Sequence, residues 1–141
     1  ALLVGDANAN VLRGGSGRNI LIGGAGIDQL FGGGGDNILI SGMTAYDRNL
    51  PALNALFAER TSADSLSERR KDLRFGGGLN GSYRLNPVNT RTNASTVFDD
   101  GTADQLFDGA GLSWFFVHMP DDRINNGAGP LVSGDVLSII L

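Results

Sequence analysis

A nine-residue period at the start of this chain constrains its fold more than any other feature. Four units follow one another without a gap, at residues 5–13, 14–22, 23–31 and 32–40. Each unit begins with glycine, and clustered glycines supply the positive φ angles of tight turns. Each ends in a three-residue strand whose middle side chain points inward, at Leu12, Leu21, Leu30 and Leu39. Because so small a unit cannot bury an apolar face alone, the units are predicted to stack.

The third unit, residues 23–31, matches G-G-x-G-x-D-x-U-x at every defined position, where U is a large apolar residue. This pattern resembles the RTX, or haemolysin-type, calcium-binding nonapeptide repeat. The resemblance implies a mainly β chain that forms a parallel β-roll, a β-solenoid whose turns lie alternately on two edges. It also implies that calcium binds between stacked turns, to glycine carbonyls and to the aspartate at position six, which are hard oxygen ligands.

Position six departs from that pattern in three of the four units, where it is asparagine. The residues are Asn10, Asn19, Asp28 and Asn37. An edge formed by Asn19 and Asn37 offers no charge, so we expect it to hold no ion at ordinary calcium levels. The pair of Asn10 and Asp28 carries one negative charge, on Asp28, which predicts weak calcium binding. The alternative is a spiral held together by asparagine and glycine turns without any ion.

The period resumes after a long interruption, in degenerate copies at residues 99–107 and 108–116. If Ser41 and Gly42 begin a fifth turn that closes at Asp104, then Asp104 stacks on Asp28. We expect calcium to bind between these two aspartates. The resemblance implies that glycine carbonyl groups also bind the ion, and nearby acidic residues add negative charge. The predicted calcium ligands are therefore Asp28, Asp104, Gly23, Gly24, Gly26, Asn10 and Asp99.

The side chains that flank each inward residue point outward and form two walls. One wall is apolar throughout and consists of Leu2, Val4, Ile20, Ile22, Ile38, Ile40, Trp114 and Phe116. The other wall is mixed. An apolar patch of that size is rarely left in water. We expect the interrupting segment to cover it with an α-helical hairpin at about residues 50–74, where Leu53, Leu56 and Phe57 recur at helical spacing.

These patterns predict a single domain over residues 1–141. Residues 1–42 carry repeats, residues 43–98 form an insert with the helices and a long loop, and residues 99–141 carry the returning repeats and a C-terminal cap. The last residues, from Gly134 onwards, resemble a type I secretion signal and equally fit one more strand. The chain begins in mid-pattern, which predicts a piece of a longer protein.

Charge and composition narrow the classes of partner. The net charge is −4, yet seven basic and three acidic residues lie between Arg60 and Arg91. This basic face fits an acidic polymer or the acidic turns of a neighbour, and equally a solvated helix surface. The acidic total disfavours nucleic-acid binding, and no stretch is long and apolar enough to span a membrane. With no cysteine and a single histidine, His118, the chain offers no zinc site or triad and predicts no enzyme.

Two functions fit the sequence. One is a non-enzymatic, extracellular calcium-binding module of a secreted or surface protein, which supports ion-dependent folding and export. The partners of such a module would be calcium and further copies of the chain. The other is a structural or adhesive unit with little or no calcium. Such a unit would self-associate through strand edges or the apolar wall into a filament or surface layer, because unpaired strand edges invite pairing.

Overall fold

The computed structural model describes residues 1–125 and 135–141. It is mainly β, with parallel strands and two helices. The strands are β1 (Leu2–Val4), β2 (Val11–Arg13), β3 (Asn19–Ile22), β4 (Gln29–Phe31), β5 (Asn37–Ile40), β6 (Met43–Thr44), β7 (Val97–Phe98), β8 (Gln105–Phe107), β9 (Ser113–Val117), β10 (Arg123–Ile124) and β11 (Val136–Ile139). The helices are α1 (Leu50–Arg60) and α2 (Leu66–Phe75).

Successive repeats contribute their strands alternately to two parallel sheets. The first sheet has the order β1-β3-β5-β9-β11, and the second has the order β2-β4-β8-β10. The register joins Leu39 to Phe115 in the first sheet and Leu30 to Leu106 in the second. The repeats before and after the insert therefore stack in one continuous register. Among the described strands, neither sheet closes on itself, and the edge strands are β1 and β11 in the first and β2 and β10 in the second.

The inward side chains of the two sheets form one thin core between them. The buried members of this inner core are Leu21, Leu30, Leu39, Leu106, Phe115 and Val117, with Leu3, Leu12 and Ile124 packed against them. The four leucines of the period thus share one interior, as the sequence predicts. This arrangement follows from strand parity, since one residue in each triplet points inward.

The turns between the strands depend on glycine at particular positions. Gly24 and Gly26 have φ angles of 97° and 103°, which side-chain-bearing residues rarely adopt. Close stacking imposes a second requirement. A Cβ atom on Gly109 would lie 1.6 Å from the carbonyl oxygen of Gly33 in the adjacent turn. The tight spacing of stacked turns is therefore possible only where one of the facing residues lacks a side chain.

The insert packs on the outer face of the first sheet. Leu53 and Leu56 of α1, Leu73 of α2 and Leu85 of the following loop are buried. They form an outer core with the wall residues Ile20, Ile22, Ile38, Ile40, Trp114 and Phe116. The insert therefore covers the apolar wall, as the sequence predicts. Self-association stays a prediction, and it would have to use the strand edges.

Local capping explains where the helices begin. The side chain of Asn49 accepts a hydrogen bond from the backbone N–H of Ala52, and Pro51 occupies the first turn of α1. Ser65 and Glu68 form a capping box at the start of α2. Neither helix is long and apolar enough to cross a membrane, in the portion of the chain that the structure describes.

The two ends of the insert meet in a short antiparallel pair, β6 with β7, which joins Met43 to Phe98. This pair, which the period does not predict, returns the chain to the stack where it left. At the C-terminal end, β11 pairs in parallel with β9, so this segment forms a strand. Residues 126–134, which include the Gly134 named above, lie outside the described residues.

Candidate metal centre

Position-six side chains form a continuous row along one edge of the stack. The Oδ1 atom of Asp28 accepts a hydrogen bond from the backbone N–H of Asn10, at 2.7 Å. Asp104 Oδ1 accepts from the N–H of Asp28 at 2.7 Å, and Asp122 Oδ1 accepts from the N–H of Asp104 at 3.0 Å. Each carboxylate thus bridges to the preceding coil, and the structure places Asp104 directly on Asp28.

The second oxygen of each central carboxylate has no partner. Asp28 is 0 % exposed and Asp104 is 1 % exposed, yet the Oδ2 atom of each is buried without a hydrogen bond. A Cβ built on Gly23 would lie 2.7 Å from Asp28 Oδ2 and 2.2 Å from the carbonyl oxygen of Ser41. Acceptors therefore converge at this point without a donor. Such convergence of hard oxygens is the donor set that calcium prefers.

On the opposite edge, Asn19 satisfies the same geometry with an amide group, whereas the Nδ2 atom of Asn37 is buried without a partner. A Cβ built on Gly14 would lie 2.7 Å from Asn19 Nδ2 and 2.1 Å from the carbonyl oxygen of Gly32. Asn19 Nδ2 thus takes the place that Asp28 Oδ2 takes on the other edge. This nitrogen contacts four acceptors at 2.8–3.1 Å: the carbonyl oxygens of Gly15, Gly17 and Gly32, and Asn37 Oδ1. The amide nitrogen of Asn19 therefore lies among the oxygen atoms that would face a cation if position six were aspartate.

Burial makes the carboxylates of the row hard to ionise. Desolvation is the largest cause that raises the pKa of Asp28 to about 6 and that of Asp104 to about 7. Hydrogen bonds from the backbone N–H groups of Asn10 and Asp28 oppose the rise. The negative charge of Asp100 adds to it at both sites, and that of Asp122 adds to it at Asp104. At both sites, burial and neighbouring carboxylates therefore outweigh the backbone hydrogen bonds.

The other predicted ligands have more varied surroundings. The backbone N–H of Gly24 donates to the Gly42 carbonyl oxygen, and the carbonyl oxygen of Gly26 already accepts a hydrogen bond from Thr102 Oγ1 at 2.9 Å. Asn10 Oδ1 accepts from the N–H of Asp6 at 2.8 Å. Asp99 lies beside His118, with Asp99 Oδ2 3.6 Å from His118 Nδ1.

Two acidic residues at this edge were absent from the predicted ligand set. Asp100 Oδ2 accepts a hydrogen bond from the N–H of Gly26 at 2.9 Å, so Asp100 rather than Asp99 contacts the turn of the third repeat. Asp122 is buried and continues the row, and its Oδ2 accepts from the N–H of His118. A sequence signal for Asp122 existed, because it precedes an inward residue, Ile124, by two positions, as Asp104 precedes Leu106.

The raised pKa values predict how stability depends on pH without calcium. Because Asp28 and Asp104 hold protons more tightly in the folded chain, their contribution is fully present below pH ~4 and is lost as pH rises through about 6 to 7. In chelator, the urea midpoint is therefore expected to fall between pH 5 and pH 7.5. Saturating calcium is expected to reduce this fall. A chelated midpoint that stays constant or rises over this interval would contradict the assignment.

Stacked glycine turns with buried carboxylates between parallel strands define a class of repeat protein in which cations can bind in the turns. Residues 3–42 match the family model of the RTX calcium-binding nonapeptide repeat, in four copies. This segment is therefore a run of RTX repeats, as the sequence predicted, and such repeats are a non-enzymatic calcium-binding type that implies a β-roll. No curated protein and no solved structure matches the chain.

Proposed function

We propose that the chain is a non-enzymatic calcium-binding β-roll module of a secreted or surface protein, in which calcium drives folding outside the cell. The observation that carries this proposal is the pair of buried carboxylates, Asp28 and Asp104, each with an unpartnered Oδ2 atom. Asp28, Asp104 and the carbonyl groups of the turn at residues 23–26 would hold the ion. Asp100 and Asp122 supply further negative charge at this edge.

The energetic argument links the ion to folding. Burying an ionised carboxylate with an unpartnered oxygen is unfavourable, and the row stacks two such groups, Asp28 and Asp104. An ion that binds only the folded chain removes this penalty and stabilises the fold by mass action, by about 2.7 kcal/mol at one hundred times the dissociation constant. A chain of this kind folds poorly where calcium is scarce and folds well where it is plentiful. That difference fits export in an unfolded state followed by folding outside.

Calorimetric titration of the chelated chain with calcium, followed in parallel by circular dichroism, tests this proposal. Heat of binding, together with a gain of β signal or of melting temperature, is the expected result. The ion-free alternative predicts a spectrum and a melting temperature that do not respond to chelator or to calcium. That outcome would overturn the proposal.

Self-association is a second candidate, favoured by the open strand edges. In the described portion of the chain, β11 is an edge strand of the first sheet, and its Leu137 and Ile139 side chains are exposed. β2 is an edge strand of the second sheet with an exposed Val11. Unpaired edges of parallel sheets can pair with another chain. Sedimentation velocity over a range of concentrations tests this function, and a strict monomer at high concentration excludes it.

A further inference from the structure

A second group of carboxylates lies in the helical insert, on residues outside the repeats. Glu59 is near the end of α1, Asp64 is in the connection between the helices, and Asp72 is in α2. One carboxylate oxygen from each lies within 4.8 Å of the others. The packing of α1 against α2 brings together residues that are up to thirteen positions apart in the chain. Three acidic groups at this separation repel one another unless a positive charge lies between them.

Glu59 is the central member of this group. It is 0 % exposed, and although its Oε2 atom accepts a hydrogen bond from the N–H of Leu79 at 2.6 Å, its Oε1 atom is buried without a partner. Burying a carboxylate oxygen without a hydrogen-bond donor is unfavourable. In native proteins such an atom contacts a bound ion or an ordered water. This unsatisfied atom is an observation independent of the acidic cluster itself.

The loop after α2 closes over the same carboxylates. A Cβ built on Gly78 would lie 2.2 Å from Glu59 Oε2 and 2.8 Å from Asp72 Oδ2. A side chain at this position would therefore displace both carboxylates. The close approach of Gly78 holds Glu59 and Asp72 together from one side. Asp64 is exposed, so the group is accessible to solvent through Asp64.

The positive charge of Arg69 lies near this group and is shared with the repeats. The charges of Glu59 and Asp64 act on Arg69 through space. The guanidinium of Arg69, however, bonds to the backbone carbonyl of Asp64 and to the carboxylate of Asp36, the latter at 3.3 Å. The ion pair that Arg69 forms is therefore with Asp36, and the Oε1 atom of Glu59 stays without a partner.

We propose that Glu59, Asp64 and Asp72 bind a divalent metal ion of the calcium type. The donor set consists of carboxylate oxygens alone, which suits hard cations and not the zinc or copper that histidine and cysteine attract. The ion would link α1, the connection between the helices and α2, and would fix the insert on the apolar wall. This site uses none of the residues of the repeat turns, so it does not depend on the proposed function of the repeats.

The test uses the full chain with Asp28→Asn and Asp104→Asn, which removes charge from the repeat site. Titration of this background with calcium chloride is expected to show one remaining class of site. Adding Glu59→Gln and Asp72→Asn is expected to weaken that binding at least tenfold. The glutamine side chain keeps an oxygen that can accept the hydrogen bond from Leu79, so the fold is expected to persist. Asp121→Asn, which neutralises an exposed carboxylate elsewhere, is the matched control and is expected to leave the affinity unchanged.

A second variant keeps the test decisive if the double substitution unfolds the insert. Asp64→Asn alters an exposed side chain, and it is expected to weaken calcium binding severalfold while the circular dichroism spectrum stays the same. Two results would overturn the proposal. One is a folded Asp28→Asn and Asp104→Asn background that takes up no calcium. The other is residual binding that is unaffected by Asp64→Asn and by the substitutions at residues 59 and 72.

Discussion

Replacing both Asp28 and Asp104 by asparagine is expected to stabilise the calcium-free chain at pH 7.5 and to remove most of its stabilisation by calcium. The gain in the free energy of unfolding without calcium is expected to be of the order of 2–4 kcal/mol, because two carboxylates with raised pKa values no longer ionise in a buried site. Urea unfolding in chelator and in millimolar calcium measures both effects.

The opposite edge of the stack explains why asparagine is tolerated. Asn19 already places its Nδ2 atom at the position equivalent to Asp28 Oδ2, where it donates to carbonyl oxygens. An asparagine at residue 28 would keep an Oδ1 acceptor for the N–H of Asn10 and would supply the missing donor. The same change removes the charge that attracts calcium. Stability in chelator and response to calcium are therefore expected to move in opposite directions.

Two further variants serve as controls for this prediction. Asp121→Asn removes an exposed charge outside the row. It is expected to change neither the stability in chelator nor the stabilisation by calcium by more than about 0.5 kcal/mol. The reciprocal change, Asn19→Asp with Asn37→Asp, is expected to destabilise the chelated chain and to add calcium binding on the second edge. Lower stability of the Asp28 and Asp104 variant in chelator, with an intact response to calcium, would show that the row is not the ion site.

A charge in the outer core is expected to have the other large effect. Leu56 of α1 is 2 % exposed and packs in the core between the insert and the first sheet. The Leu56→Asp substitution would bury a carboxylate with no partner, and we expect it to lower the free energy of unfolding by more than about 4 kcal/mol. The loss is comparable to the whole stability of many domains. Urea unfolding measures it, and binding of an apolar dye reports the exposed wall.

Leu50→Asp is the matched control on the same helix. Leu50 is 65 % exposed at the start of α1, where a negative charge interacts favourably with the helix dipole. The stability of this variant is expected to stay within about 0.5 kcal/mol of the parent. If the two variants unfold at the same urea concentration, α1 does not cover the wall, and the assignment of the outer core is wrong.

The period in the sequence predicted the inner core and the apolar wall because both depend on local rules. Strand parity assigns Leu21 and Leu39 to the interior and Ile20 and Ile38 to the wall, whatever the rest of the chain does. The sequence also predicted that Asp104 stacks on Asp28, because both residues occupy position six of a repeat. Asp122 was missed because the turn before it, residues 118–121, contains no glycine, although the following strand keeps the register.

The calcium ligands proposed for the repeats stay a prediction, and only part of their surroundings was foreseeable. The sequence indicates that Asn19 lacks charge, but not that its amide nitrogen contacts four oxygens. That arrangement depends on the distance between stacked turns. Likewise, no spacing in the sequence relates Glu59 to Asp64 and Asp72, which meet because α1 and α2 pack against each other.

The sequence alone determined the repeat, the direction of its side chains and the identity of the position-six residues, because a nine-residue period repeats the same local conformations. The tertiary structure decided which oxygen atoms are buried without a donor and which acidic groups of the insert meet. Those properties arise only when separate coils and the insert come within a few ångströms of one another, and no local pattern encodes that distance.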